Sequence, residues 1–312
     1  MKNEILAVMT IEQLLQDVAR IHDQVQYENR KKSQLLRCCV QRCCELMPAF
    51  LELKALGFQL QFPVSLFRRV VPVIQSICQR HHLNISEIHS SPYWFDVIKV
   101  LYIGQREWEL DRKAFYVQEI NNYLSMETYL REVLQRYCKS LIVRVDLKYK
   151  QEVLSSISIA EVHLHISKLL KRISDRDTCF KGLIGYAWAL EQGGESGGYH
   201  IHLLLIYKGF EHQHGWYFAD QVSKLWNKIT ENRGCHFNLH DVEYRKRYIE
   251  NGTDGLDKLI RGDESRLQNV LRLGLYLTCP TKYDQRLRIK KKRMRTFDHG
   301  QRRPELLVLS LS

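Results

Sequence analysis

The chain has 312 residues, 45% of them hydrophobic, which is enough for about two packed domains. Its formal net charge of +12 is unevenly placed: residues 1–135 hold 16 Lys/Arg against 15 Asp/Glu, leaving 31 against 20 for the remainder, so a polyanionic partner is expected on the C-terminal part. No run approaches the roughly 18 apolar residues of a membrane span, the opening Met-Lys-Asn-Glu lacks a secretory pattern, and nine cysteines are an odd number, so a reducing, cytoplasmic setting is expected.

From Ile11 to about Cys138 the apolar spacing is helical, as in Ile11, Leu14, Leu15, Val18, Ile21 and Val25, with breaks expected near Pro48, Pro63 and Ser90 to Pro92. Residues 1–137 are therefore expected to be an all-helical domain. Within it Cys38, Cys39, Cys43 and Cys44 fall among Leu35, Leu36, Val40, Leu46 and Met47, so a buried apolar helix face is favoured over a zinc site.

At Ser140 the pattern changes. Leu141 to Leu147 reads as a strand, Ile159 to Ile173 as a helix, Gly182 to Glu191 as a strand, and a Gly-rich loop leads into the strand Tyr199 to Tyr207. A helix from Phe218 to Thr230, a strand from Cys235 to Val242 and a helix capped by Asp263 and ended by Pro280 follow. The order β-α-β-β-α-β-α predicts an α+β fold for residues 138–300, an antiparallel sheet with helices packed on one face.

His200 and His202 lie one residue apart on a strand, so both point one way while Ile201, Leu203 and Leu205 point the other. On the preceding strand Gly185, Ala187, Ala189 and Glu191 share a face. A hairpin register setting Glu191 opposite His200 would put Ala189 opposite His202, gathering two nitrogens and one carboxylate around a cleared point. Loop length alone does not fix that register, and a glutamate ending a hairpin strand can equally stand without a role. Such a donor set suits Mg²⁺ or Mn²⁺ in an enzyme that cleaves a polyanion. His236 and His240 are alternative third ligands, and His212 and His214 read as surface residues. A histidine-triad hydrolase would need histidine where Leu204 stands, and an iron facial triad would show aspartate at His202.

The nucleophile is sought on the helix from Glu264 to Cys279. Tyr276 is nine positions from the buried Leu267, about 180° around at 100° per residue, and projects from the polar side with Asn269 and Arg272. Tyr283 is the weaker candidate. Beyond the helix, residues 282–303 carry ten basic side chains against Asp284 and Asp298, among them Lys282, Lys290, Lys291, Lys292, Arg293 and Arg295; this opens a basic C-terminal segment, 282–312, expected to bind phosphates without reading sequence.

Together the residues resemble the HUH endonucleases, the rolling-circle replication initiators and relaxases. More narrowly, Trp188-Ala-Leu-Glu191, Gly198-Tyr-His-Ile-His202-Leu-Leu-Leu, Tyr276-Leu277 and Arg295-Thr-Phe297 are similar to the inovirus replication initiators, the filamentous-phage gene-two type with a YagK/YfjJ-like C-terminal domain, over roughly residues 138–300. The resemblance implies an HUH/Rep-like fold encoded by a phage or prophage in a bacterial cell. It also implies metal held by His200, His202 and Glu191, and attack by Tyr276, assisted by Lys282, on single-stranded DNA at a replication origin. The products would be a 5′-phosphotyrosine and a 3′-hydroxyl primer, with host replication proteins as partners. The family commonly has lysine three positions after the tyrosine, where this chain has Cys279, and glycine where it has Asp298. The alternative is a non-enzymatic prophage DNA-binding or regulatory protein with a degenerate domain of this type.

Overall fold

The computed structural model describes residues 4–23, 29–193 and 197–301. Its first elements are the helices α1 (Glu4–Asp23), α2 (Asn29–Ala55), α3 (Phe67–His81) and α4 (Trp94–Arg136), with the two-residue strand β1 (Gln59–Leu60) between α2 and α3. In α3, Phe67, Val70, Val71, Ile74 and Ile77 recur at helical spacing and are all buried, and His82 ends the helix in the left-handed region at φ 54°. Pro48 does not break α2, which carries it in its interior and continues to Ala55. Cys39, Cys43 and Cys44 are buried and Cys38 is exposed; burial pushes the Cys39 and Cys44 thiols up to about 11, so they pack as small apolar groups. No helix among the described residues is long and apolar enough to cross a membrane.

The sheet is built on β2 (Lys139–Tyr149), whose Leu141, Val143, Val145 and Leu147 face one side while Ile142, Arg144 and Asp146 face the other. With β3 (Leu183–Gln192), β4 (Tyr199–Lys208), β5 (Gly234–Asn238) and β8 (Phe297–His299) the strand order is β5-β2-β4-β3-β8, every pairing antiparallel. Strand β6 (Asp257–Ile260) shares the outer edge of β2 with β5, pairing at Lys139–Ile142. A register shift between Leu183 and Gly185 turns Ile184 away from the face of Trp188 and Leu190.

Helices cover both faces of this sheet, which corrects the expectation of one covered face. On the first, α1, α5 (Ile159–Asp175) and α6 (Gly215–Ile229) share a core with Val143, Val145, Leu203 and Leu205. On the second, the last turns of α4 (Met126, Tyr129, Leu130, Val133) and α8 (Glu264–Leu275) pack over Ile142, Ala187 and Leu204. Small residues make this second layer possible. A Cβ on Gly274 would stand 2.5 Å from Leu130, and one on Gly185 would meet the Tyr129 hydroxyl at 2.9 Å, so part of the small-residue row seats a helix instead of clearing space for a site.

Two elements lie outside the sequence expectation. The strand predicted to reach Val242 ends at Asn238, whose side-chain oxygen accepts from His240 N, and Asp241 then caps a further helix, α7 (Val242–Glu250), by accepting from Tyr244 N. The α8 helix ends at Leu275 and the chain tightens into a 3₁₀ turn over Tyr276–Thr278, before Pro280.

The described part of the basic segment, residues 282–301, is folded into the body. Its β7 (Ile289–Lys290) pairs with β1, and β8 joins the edge of the sheet. Arg288 is buried, the Arg286 side chain is almost covered, and both bind the buried Glu12 of α1, Arg286 at 3.1 Å. A second α1 acid, Glu4, accepts from Ile159 N at the start of α5 and from the Tyr199 hydroxyl at the start of β4.

On the β6 edge, Asp257 lies 3.1 Å from His240 Nδ1 and accepts from Arg245 Nη1 at 2.5 Å. Burial raises its carboxyl, but the hydrogen bond and charge of His240, then those of Arg245, override it and bring it down to about 2. A carboxyl depressed below its unfolded value near 3.9 stabilises the fold above about pH 4, and that contribution is lost as pH falls toward 2. Asp257→Asn should therefore cost on the order of 1–2 kcal/mol at pH 7, with the gap from wild type narrowing between pH 5 and 2.5 in urea midpoints. A pH-independent gap would refute the ionic role.

Candidate active site

The pairing of three central strands brings the polar residues of the second face together. Asp146 lies opposite His202, His202 opposite Ala189, and His200 opposite Glu191; the last two are the register that the sequence allowed but did not fix. His202 Nδ1 is 2.7 Å from Asp146 Oδ1 and its Nε2 is 3.1 Å from Glu191 Oε2. Lys282 Nζ donates to Glu191 Oε1 at 2.7 Å. At the other end Arg144 Nη2 is 3.5 Å from Asp146 Oδ1, while its Nη1 donates to Leu273 O at 3.1 Å. Lys282, Glu191, His202, Asp146 and Arg144 thus form a row of alternating charge, with side-chain exposures between 5% and 14%.

The two histidines are in opposite electrostatic states. Burial disfavours charge on His202, but its bonds to Asp146 and Glu191 prevail and raise it above the ordinary value, as expected for an imidazolium donating from both nitrogens. Both carboxyls are held below their ordinary values despite burial, Asp146 by His202 and Arg144, Glu191 by His202 and Lys282. For His200, burial and then the charges of Lys148 and His202 bring it down to about 4, so it is neutral at pH 7, and its ring makes no hydrogen bond among the described residues.

Tyr276 stands over the open side of this row. Its ring lies edge-on to His202 with centroids 5.6 Å apart, Lys282 Nζ is 3.4 Å from its centroid, and the Arg144 guanidinium is 4.7 Å away. The residue is 46% exposed, and its hydroxyl has no hydrogen-bond partner among the described residues. Arg272, one helical turn earlier, lines with Tyr276 a cleft of about 500 Å³. Glu191 and Lys282 line a second cleft of about 420 Å³ against α4.

The other sequence candidates separate. Lys290 is half-buried in β7 beside Glu119, and burial lowers its ammonium; Lys291, Lys292 and Arg293 form an exposed turn; Arg295 pairs with Asp298 at 2.6 Å. Arg286 and Arg288, counted toward the expected phosphate-binding charge, are spent on Glu12, which corrects that part of the count; Arg302, Arg303 and the rest of the segment to residue 312 lie outside the described residues. Tyr283 is buried and donates to Asp111 Oδ2 at 2.7 Å. His240 is engaged with Asp257, and His236 lies opposite Leu147 on the β5 edge.

Sequence reasoning passed over Asp146 and Arg144. The signal was present: in an otherwise apolar strand, Arg144, Asp146 and Lys148 alternate, so three charges share one face. Among the described residues no group of three or more His, Cys, Asp or Glu side chains is drawn together as a ready metal site. Taking up a cation at His202 would require exchange of its ring proton.

The model of the YagK/YfjJ C-terminal domain family matches residues 109–297, a span that runs from the middle of α4 to the start of β8 and contains all of the residues of the charged row, His200 and Tyr276. No curated protein and no solved structure matches the chain. Because the matched span is more than half of the chain and includes the whole site, the protein belongs to the YagK/YfjJ C-terminal domain family.

Proposed function

We propose that the protein is a replication initiator of the rolling-circle kind, nicking single-stranded DNA by attack of Tyr276 on a phosphodiester. The observation that carries this reading is the position of the half-exposed tyrosine, edge-on to a buried histidine flanked by two carboxylates, with Lys282 against its ring. In the step, the phenolic oxygen bonds to phosphorus as the bond to the 3′ oxygen breaks. The phenol loses a proton and the departing oxygen gains one. The chain is left with a 5′-phosphotyrosine and the DNA with a 3′-hydroxyl that can prime synthesis. Lys282 and Arg144 supply positive charge beside the attacking ring and the incoming phosphate.

The donor chemistry on this face fits a hard divalent cation. His200 is neutral with free nitrogens, and His202, Glu191 and the newly recognised Asp146 add one further imidazole and two carboxylates. Mg²⁺ or Mn²⁺ held there would polarise the scissile phosphate. The competing reading, a DNA-binding protein without chemistry, draws support from the same row, because both nitrogens of His202 are already satisfied.

Incubation with Mn²⁺ and single-stranded origin-region DNA should leave a nucleotide adduct on Tyr276, detected by mass spectrometry. Tyr276→Phe should abolish the adduct while retaining DNA binding. Tyr283→Phe should keep the adduct and lose about 1 kcal/mol of stability through the lost hydrogen bond to Asp111. Absence of an adduct on any tyrosine of the folded wild type favours the non-enzymatic reading.

His200→Ala and His202→Ala should each lower nicking by more than the roughly 10–100-fold that loss of a group supporting a metal ligand costs, since here the proposed ligand itself is removed, with weaker Mn²⁺ binding by calorimetry. Activity within a few-fold of wild type in His200→Ala would remove the metal assignment.

A further inference from the structure

The cleft beside Tyr276 has a wall for which the reaction above gives no use. On α7, Tyr244, Arg247 and Tyr248 share one face at spacings of three and four. The two tyrosine rings are 5.3 Å apart by centroids with hydroxyls 3.2 Å apart, and the half-exposed Phe237 of β5 stands edge-on to Tyr244 at 4.8 Å. The Arg247 guanidinium lies over both rings, 5.1 Å from Tyr244 and 4.7 Å from Tyr248. Across the cleft are Arg272, Asn269 and Tyr276 of the α8 region.

The charges of this cleft are not all neutralised. Arg144 is taken up by Asp146, and Arg245 by Asp254 and Asp257. Arg247 and Arg272 have no carboxylate partner among the described residues, and both are exposed. The platform is also held in place. Arg245 clamps α7 to Asp254 at 2.6 Å, and Asn269 Nδ2 donates to Gly252 O at 2.8 Å, tying the following loop to α8. A preorganised aromatic ladder, an arginine lying over its rings and a second unpaired arginine facing it are the parts from which single-strand binding sites are made, since every base has a π face and every linkage a phosphate.

We propose that this cleft seats unstacked bases of single-stranded DNA flanking the phosphate presented to Tyr276, bases against Tyr244 and Tyr248 and phosphates against Arg247 and Arg272. The assignment rests on the nicking reading for its orientation and on the α7 wall for its chemistry. It moves the main DNA track from the basic turn at Lys291 to the α7 side of the site. Bases within a duplex have no free face to offer, so this wall selects single strands.

The test is fluorescence anisotropy of the full chain with a labelled 20-nucleotide single strand and the matching duplex, in EDTA to prevent cleavage. The Tyr244→Leu/Tyr248→Leu double variant should lose on the order of tenfold in single-strand affinity, with duplex binding little changed. Tyr244→Phe/Tyr248→Phe, which keeps the rings, should bind within about twofold of wild type and so separates stacking from a fold defect. A 2-aminopurine next to the nick should be quenched by wild type and not by the Leu variant. Single-strand affinity of the Leu variant within twofold of wild type, no preference of wild type for the single strand, or tighter binding of the corresponding RNA overturns the assignment. An adduct on Tyr276 with α7-independent binding overturns the cleft alone; α7-dependent binding with no adduct upholds the cleft and removes the nucleophile.

Discussion

Two largely buried carboxylates on the strands either side of β4, Asp146 on β2 and Glu191 on β3, hold His202 of β4 between them, and burial of two anions so close together has to be compensated. Leaving either unpaired would cost several kcal/mol. One cation, Arg144, comes from the same strand as Asp146, two positions away. The other, Lys282, has to be carried back over Glu191 by the chain leaving α8. The 3₁₀ turn at Tyr276–Thr278 and the stop at Pro280 make that return possible, and Tyr276 lies on it. The location of the candidate nucleophile thus follows from charge balance in the sheet: the path that neutralises Glu191 is the path that sets a tyrosine edge-on to His202.

The same row divides the surface. Glu191 and Lys282 open on a cleft walled by α4, whereas Asp146, Arg144 and Tyr276 open on one walled by α7 and α8. A linear polymer crossing the row meets acidic and basic side chains in the first cleft and aromatic rings with unpaired arginines in the second. The site is therefore polar along the direction a strand would travel.

Much of this was legible in the residues. Strand alternation placed His200 and His202 on one face of β4 and Glu191 on the small-residue face of β3, but the register between the strands was left open, and the structure has the one that pairs Glu191 with His200 and Ala189 with His202. What the alternation could equally have shown, the charged face of β2, was missed because the eye follows the apolar members of a strand. The helices on both faces were not legible, since the small residues of β3 admit either an open site or a close helix, and it is the approach of the α4 residue Tyr129 to Gly185 that decides for the latter at that end of the strand. Nor could counting charge distinguish Lys291 from Arg288: one is exposed, the other is sealed against Glu12, 276 positions earlier in the chain. The short helix α7 escaped because its signal is a single capping aspartate after a turn.

Glu12 carries a wider meaning. It and Glu4 belong to α1, outside the span shared with the family, yet Glu12 neutralises two guanidiniums of the segment that closes the site, and Glu4 receives the hydroxyl of Tyr199 at the head of the histidine strand. A chain cut to the shared span would leave Arg288 without its carboxylate and Arg286 with only Asp111, 3.9 Å away, and severing a buried pair of this kind costs roughly 3–5 kcal/mol, a large part of the stability of an ordinary domain. The span shared with the family and the set of residues that balances its buried charge are therefore not the same in this protein, because α1 supplies part of the second.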